Sequence, residues 1–272
     1  MTGWIIYDKT SYERNSWFAD RLCETTGGRL IVVEKLEFGV DKGIYYKYEG
    51  KLISKPDFAI QRCIFPLLSQ VLEQDGVRVF NNSRVCDICN DKRKTHLLGC
   101  SLGLPMVKTA FANKGCLNVP KMPFVLKGAH GHGGNEVFYV EKESETINCL
   151  KKIQGDDILF QNVASDLGVD KRVYVLGGEI LACVERQAKD GFKSNFSLGG
   201  MAVLKNVTVE EENIVKKIMC ALKPDFVGVD FIYENGQPYL NEVEDIVGTR
   251  MLYTLTDIDA AEVYGDYILK NV

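Results

Sequence analysis

Three carboxylates near the end of the chain, Asp230, Glu242 and Glu244, lie where one short motif could gather them. The stretch 226–245 reads Phe-Val-Gly-Val-Asp-Phe-Ile-Tyr-Glu-Asn-Gly-Gln-Pro-Tyr-Leu-Asn-Glu-Val-Glu-Asp. Two apolar runs, 226–233 and 239–243, flank Asn235-Gly236, which supplies the positive φ of a tight hairpin turn. Period-two alternation then sets the three acids on one sheet. There they would repel one another unless a cation sat between them. Carboxylate oxygens that leave room for phosphates suit Mg²⁺, with Mn²⁺ as an alternative. The plain alternative is an acidic hairpin facing water, as charged residues in strands usually do.

Cations and permissive backbone lie upstream. Lys92 stands in the first turn of a helix, and Lys127 ends a strand over 124–127. Between that strand and one over 137–140 runs Gly128-Ala-His-Gly-His-Gly-Gly-Asn-Glu136. A loop this rich in glycine can close over phosphates with its backbone N–H groups, unobstructed by side chains. It is not a P-loop, because the Gly-Lys-Ser/Thr ending is missing. A mobile hairpin tip remains the alternative here, as does a solvated surface lysine at Lys92. His130 and His132 fall in the loop, but a glycine-rich tip positions metal ligands poorly. Cys86, Cys89, His96 and Cys100 have the ligand types of a zinc knuckle. Their spacing departs from the common patterns, and Leu97 and Leu98 point to ordinary packing instead.

These groups need elements to hold them. Residues 1–80 read as strands alternating with helices: strands at 4–7, 30–33, 57–61 and 77–80, and helices over 12–25 and 65–72. That order argues for an open parallel sheet. No Gly-x-Gly-x-x-Gly follows the first strand, so a dinucleotide site there is not expected. A strand over 106–111 and a helix over 143–153 follow. The strand over 158–163 could offer an adenine ring its backbone N–H and C=O groups. The runs 170–176 and 179–187 pair across Gly177-Gly178 as a hairpin carrying Asp170, Arg172 and Arg186. A polar loop containing Lys193, Ser194 and Asn195 comes next. Thr208 and Glu211 form a capping box for a helix over 209–222 with one apolar face. A helix over 257–269 closes the chain.

The totals narrow the class. A net charge of −4 over 272 residues leaves no basic footprint for nucleic acid. No apolar run approaches the ~18 residues of a membrane span, and the N-terminus lacks a signal-peptide pattern. Nine irregularly spaced cysteines indicate reduced thiols in a cytoplasm. The sequence leaves a homo-oligomer open.

Two lysines, a glycine flap, an adenine-edge strand, arginines and a carboxylate metal site are the parts of a phosphoryl-transfer centre. From about residue 80 onward the chain resembles the ATP-grasp superfamily, specifically the RimK-like glutamate ligases. The segment Asp170-Lys-Arg172 through Arg186-Gln-Ala-Lys189 to Lys193-Ser-Asn195 carries the resemblance most specifically. Gly228-Val-Asp230 and Asn241-Glu-Val243 follow in order.

The resemblance implies an α/β (α+β overall) ATP-grasp fold: an N-terminal open α/β domain at 1–82, a central part with the flap at 83–160, and a C-terminal antiparallel-sheet domain at 161–272. It implies that Lys92 and Lys127 hold ATP phosphates under a flap of Gly131, Gly133 and Gly134. Gln161, Asn162 and Val163 would border the adenine. Asp170, Lys193, Ser194 and Asn195 would line the nucleotide site. Arg172 and Arg186 would neutralise the acyl phosphate and the moving phosphoryl group, and Asp230, Glu242 and Glu244 would bind Mg²⁺. The implied reaction is ATP-dependent carboxylate-amine ligation of small-molecule or peptide substrates through an acyl phosphate. A silent ATP-binding regulatory module or an ATP-grasp phosphotransferase are the other readings. The sequence departs from the family at Glu244, where an Asn is usual, at Glu136, which replaces a flap glycine, and at Glu185 and Arg250. Glu185 and Arg250 are expected at the substrate pocket, with Arg250 on a substrate carboxylate or the acyl phosphate.

Overall fold

The computed structural model describes residues 1–115, 118–188 and 201–272. The chain opens with β1 (Gly3–Tyr7), α1 (Lys9–Thr26) and β2 (Arg29–Val32). Asp8 caps α1 by accepting from Ser11 N, and Gly27 ends it in the left-handed region at φ 64°. Then come β3 (Leu36–Val40), β4 (Ile44–Tyr48) and β5 (Lys51–Ile53), followed by β6 (Phe58–Gln61), α2 (Pro66–Gln74) and β7 (Arg78–Phe80). The parallel sheet has the order β2-β1-β6-β7. Its two central strands, β1 and β6, are fully buried and almost wholly apolar, as a parallel sheet covered on both faces requires. The antiparallel sheet β3-β4-β5 is an insertion that the strand-helix alternation does not announce.

Two short helices, α3 (Ser83–Cys89) and α4 (Lys92–Ser101), lead into a second sheet. It consists of β8 (Thr109–Asn113), β9 (Phe124–Gly128), β10 (Val137–Val140) and, after α5 (Glu143–Lys152), β11 (Asp157–Asn162), in the order β10-β9-β11-β8. The strand expected at 106–111 forms slightly later, over the span of β8.

The third part is an antiparallel sheet of order β14-β13-β12-β15-β16. Its strands are β12 (Val169–Leu176), β13 (Glu179–Gln187), β14 (Met201–Lys205), β15 (Phe226–Glu234) and β16 (Gln237–Glu244), with α6 (Val209–Leu222) between β14 and β15. The Thr208–Glu211 capping box forms, and Ile214, Val215, Ile218 and Leu222 of α6 pack on Val173, Val175, Val227 and Val229. One face of the sheet is thereby sealed. The other face packs against the N-terminal unit through Tyr174, Val184 and Phe226, in a cluster with Phe18, Leu22 and Tyr264.

The last expected helix forms as α8 (Ala260–Lys270), capped by Asp259, and is preceded by a short helix the sequence reading did not include, α7 (Arg250–Leu255). The eight described cysteines are free thiols. No described helix is long and apolar enough to cross a membrane.

Candidate active site

The acidic hairpin turns on Asn235 and Gly236, with φ of 51° and 75°. Both positive values are what a tight two-residue turn needs. Asp230 pairs directly with Glu242, and Gly228 with Glu244. A β-bulge between Asp230 and Phe231 leaves Asn241 as the extra residue of β16. Simple alternation would turn Asn241 away from Glu242. The bulge instead lets Asn241 reach the same cleft and accept from Lys127 Nζ at 2.9 Å.

Neighbouring strands add the countercharges. Across β12 and β13, Asp170 pairs with Arg186; across β12 and β15, Arg172 pairs with Asp230. Arg172 holds Asp230 with two bonds of 2.7 Å and reaches Glu244 Oε1 at 2.7 Å. Arg186 holds Asp170 at 2.5 and 2.8 Å and adds a 2.8 Å bond to Asp230 Oδ2. Burial alone would raise the Asp230 carboxyl; the Arg172 and Arg186 guanidinia outweigh it and hold the pKa down at about 2. Glu242 is pulled the same way, its burial being outweighed chiefly by Lys92. Glu244 is raised, because burial outweighs Arg172.

Lys92, the first residue of α4 behind the Asp91 cap, bonds to Gly131 O and lies 3.5 Å from Glu242 Oε2. Its backbone N–H donates to Ala129 O at 3.0 Å, which ties α4 to the glycine loop. Burial lowers Lys127 to about 8, with Glu242 pulling it up and Lys92 down.

Two clefts meet here. The first runs between the β9–β11 sheet and the acidic hairpin. Of the expected nucleotide residues, Lys92, Lys127, Gly131, Gly133, Gly134, Gln161, Asn162 and Asp170 line it, together with Arg186, Asp230 and Glu242. Val163 does not line it; Ala164 does. Lys193, Ser194 and Asn195 lie outside the described residues. The second cleft, of about 620 Å³, opens toward the N-terminal unit and is lined by Arg250, Glu244, Arg62 and Tyr7. Lys92, Gly133 and Glu242 belong to both. Arg172 lines neither and reaches the site through Asp230 and Glu244. Glu185, expected beside the substrate, also lines neither, and pairs with Lys205 at 3.6 Å. Alternation along β13 turns it away from Arg186.

One oxygen from each of Asp230, Glu242 and Glu244 can be chosen so that all three lie within 4.8 Å of one another. Among the described residues this is the one convergent group of three or more such ligands. Cys86, Cys89, His96 and Cys100 form no such group: Cys86 is buried beside Asn90, and Cys100 is exposed. Hard oxygen donors in this arrangement fit Mg²⁺. Arg172, Arg186 and Lys92 supply positive charge against the three acids.

A family model for the RimK-like ATP-grasp domain matches residues 108–268, more than half of the chain. The chain belongs to the RimK-like ATP-grasp family. It is 31% identical over 209 residues to a protein of Maridesulfovibrio salexigens named "Probable alpha-L-glutamate ligase", covering 73% of this chain and 69% of the relative. A similarly named Shewanella frigidimarina protein is 30% identical over 210 residues, covering 73% and 70%. Among solved structures, the VanG D-Ala:D-Ser ligase of Enterococcus faecalis superposes with a TM-score of 0.76 at 16% identity, covering 100% of this chain and 99% of that one. The D-cycloserine synthetase DcsG gives 0.74 at 13%, again covering 100% and 99%. Such identities show the fold: this RimK-like chain has the ATP-grasp architecture, including residues 1–107 that precede the part the family model matches. The family makes it an ATP-grasp carboxylate-amine ligase, an enzyme that forms C–N bonds.

Proposed function

We propose that this RimK-like ligase binds ATP in the first cleft and joins a carboxylate to an amino-acid or peptide amine in the second. L-glutamate is the substrate its relatives' names suggest. The observation that carries this reading is the meeting of the two clefts at Lys92, Gly133 and Glu242. A substrate carboxylate entering from the second cleft would approach the γ-phosphate end of a nucleotide in the first. Lys92 and Lys127 hold the phosphates, and the Gly131–Gly134 backbone covers them. Gln161 and Asn162 border the base. Attack of the carboxylate gives an acyl phosphate and ADP; the amine then displaces phosphate to form the amide. Arg186, at the edge of the first cleft, offsets the charge that moves. Asp230, Glu242 and Glu244 would hold Mg²⁺, which when bound screens the phosphate charges. Free thiols accord with a cytoplasmic setting.

The test is an ADP-release screen with amino acids and carboxylates supplied in pairs. A ligase releases ADP and phosphate and makes an amide detectable by mass; transfer of phosphate to a stable product would refute ligation. Glu242→Gln should lower kcat by about 10²-fold or more, as loss of one preorganised electrostatic group does. Wild-type turnover by that variant would remove Glu242 from the site.

A further inference from the structure

The far wall of the second cleft comes from the N-terminal unit and contains a cation that no carboxylate among the described residues approaches within ion-pair distance. Arg62 directly follows β6 and is only 6% exposed. Its Nη2 donates to Val247 O at 3.1 Å, and its guanidinium lies 5.2 Å from the centre of the Phe18 ring. Its Nε is buried without a hydrogen-bond partner. The two other buried arginines, Arg172 and Arg186, each hold carboxylates. Arg62 holds none among the described residues.

Nearby acids are already engaged. Asp8 caps α1, accepting from Ser11 N at 2.8 Å, and Asp245 accepts from Asn90 Nδ2 at 2.9 Å. The Tyr7 hydroxyl, at the end of β1, is likewise buried and faces the Arg62 guanidinium without a hydrogen bond of normal geometry. A buried cation is costly unless an anion pairs with it, and a neutral hydroxyl beside it does not supply one. Arg14 of α1 and Arg250 of α7, both exposed, line the same cleft and add positive charge to it. Glu242 and Glu244 of the acidic hairpin also line it.

We propose that Arg62 anchors a substrate carboxylate that does not react. The cleft then takes an amino acid, or the end residue of a peptide, with a free carboxylate besides the group being joined. The guanidinium fork matches a carboxylate in shape and charge. This assignment rests on the second cleft being the ligase's substrate site. It gives the N-terminal unit a role in choosing the substrate, in addition to closing the cleft.

The test is calorimetric titration of L-glutamate into the full chain, with and without a non-hydrolysable ATP analogue, so that the result does not depend on turnover. Arg62→Gln should weaken binding by about tenfold or more, the usual worth of a hydrogen bond to a charged group. Arg62→Lys should recover part of the loss. Arg14→Gln, at an exposed position, should fold normally and weaken binding less.

Glutamine and isoglutamine each lack one of the two carboxylates of glutamate. One of them should bind the wild type as weakly as glutamate binds Arg62→Gln, and should be insensitive to that substitution. A merely structural arginine would not produce this pairing. If Arg62→Gln fails to fold, the same comparison in Arg62→Lys and Arg14→Gln decides. Unchanged glutamate affinity in a folded Arg62→Gln protein, or equal sensitivity of both amides, would overturn the anchor. An enzyme that turns over other pairs but binds no amino-acid carboxylate would also overturn it and leave ligation standing. Arg62-dependent glutamate binding without ADP release from any pair would do the reverse.

Discussion

Lys127 shows how burial tunes one residue of this site. The ordinary ammonium value of 10.5 falls to about 8. In the free protein the charged form that would hold phosphate is full below that pH and lost above it. The kcat/KM for ATP, which reports the free enzyme, should therefore fall about tenfold per unit above pH ~8. Lys127→Arg, which stays charged, should show a flat profile at a lower level. A wild-type profile flat to pH ~9.5 would remove Lys127 from phosphate binding.

The stability sign is opposite. With the folded value below the unfolded one, the unfolded chain binds more protons between about 8 and 10.5, so this group adds stability as pH rises through that window. A thermal scan over the same range then separates lost charge from lost fold. At this scale the sequence was readable where alternation holds: Asp170, Arg172, Arg186, Asp230 and Glu242 follow it. Asn241 was hidden by a one-residue bulge, and Arg62 by being a lone arginine after a strand.

The flap shows the same limits for an element. Its strands and glycines could be read from the sequence, but the path of Glu136 could not. Glu136 Oε1 accepts from Gln154 N at 2.9 Å, which tucks the side chain beneath the loop. A Cβ on Gly131 would fall 2.7 Å from Glu136 Cβ and 3.2 Å from its Cγ. Those atoms lie close to the backbone and cannot swing aside. Gly131→Ala should cost about 1–3 kcal/mol in stability, the usual penalty of overpacking, and should raise the KM for ATP. Glu136→Gly, added to it, should restore much of the loss, because the two substitutions share one contact and are not additive. Thermal melts of both variants check this, and a double variant no better than Gly131→Ala would show that the crowding lies elsewhere. The β3–β5 insertion escaped the sequence for a different reason. Its β4–β5 turn puts Glu49 at φ 50°, where Asn or Asp would have signalled a hairpin.

At the scale of the molecule, the second cleft exists only if the N-terminal unit stays seated on the C-terminal sheet. Asn81, just after β7, is the polar part of that joint. Its Nδ2 donates to Phe226 O at 2.8 Å and Asp245 O at 3.0 Å, and its Oδ1 accepts from Asp225 N and Phe226 N at 2.5 and 3.1 Å. Around it, α1, β6, β12, β15 and α8 share a single apolar cluster. A continuous core of this kind predicts one cooperative unfolding transition for the N-terminal and C-terminal parts. Asn81→Ala would leave buried backbone groups without partners, at about 1–3 kcal/mol each when unsatisfied. Denaturant unfolding should therefore show the midpoint lowered with its slope unchanged, still in one step. An early separate transition of the N-terminal unit in the wild type would contradict the shared core. If the variant keeps a single transition yet loses glutamate affinity more than ATP affinity, the joint sets the second cleft without setting the first, as their linings require: the first takes no residue from 1–80, whereas Tyr7, Arg14 and Arg62 of the second all come from there.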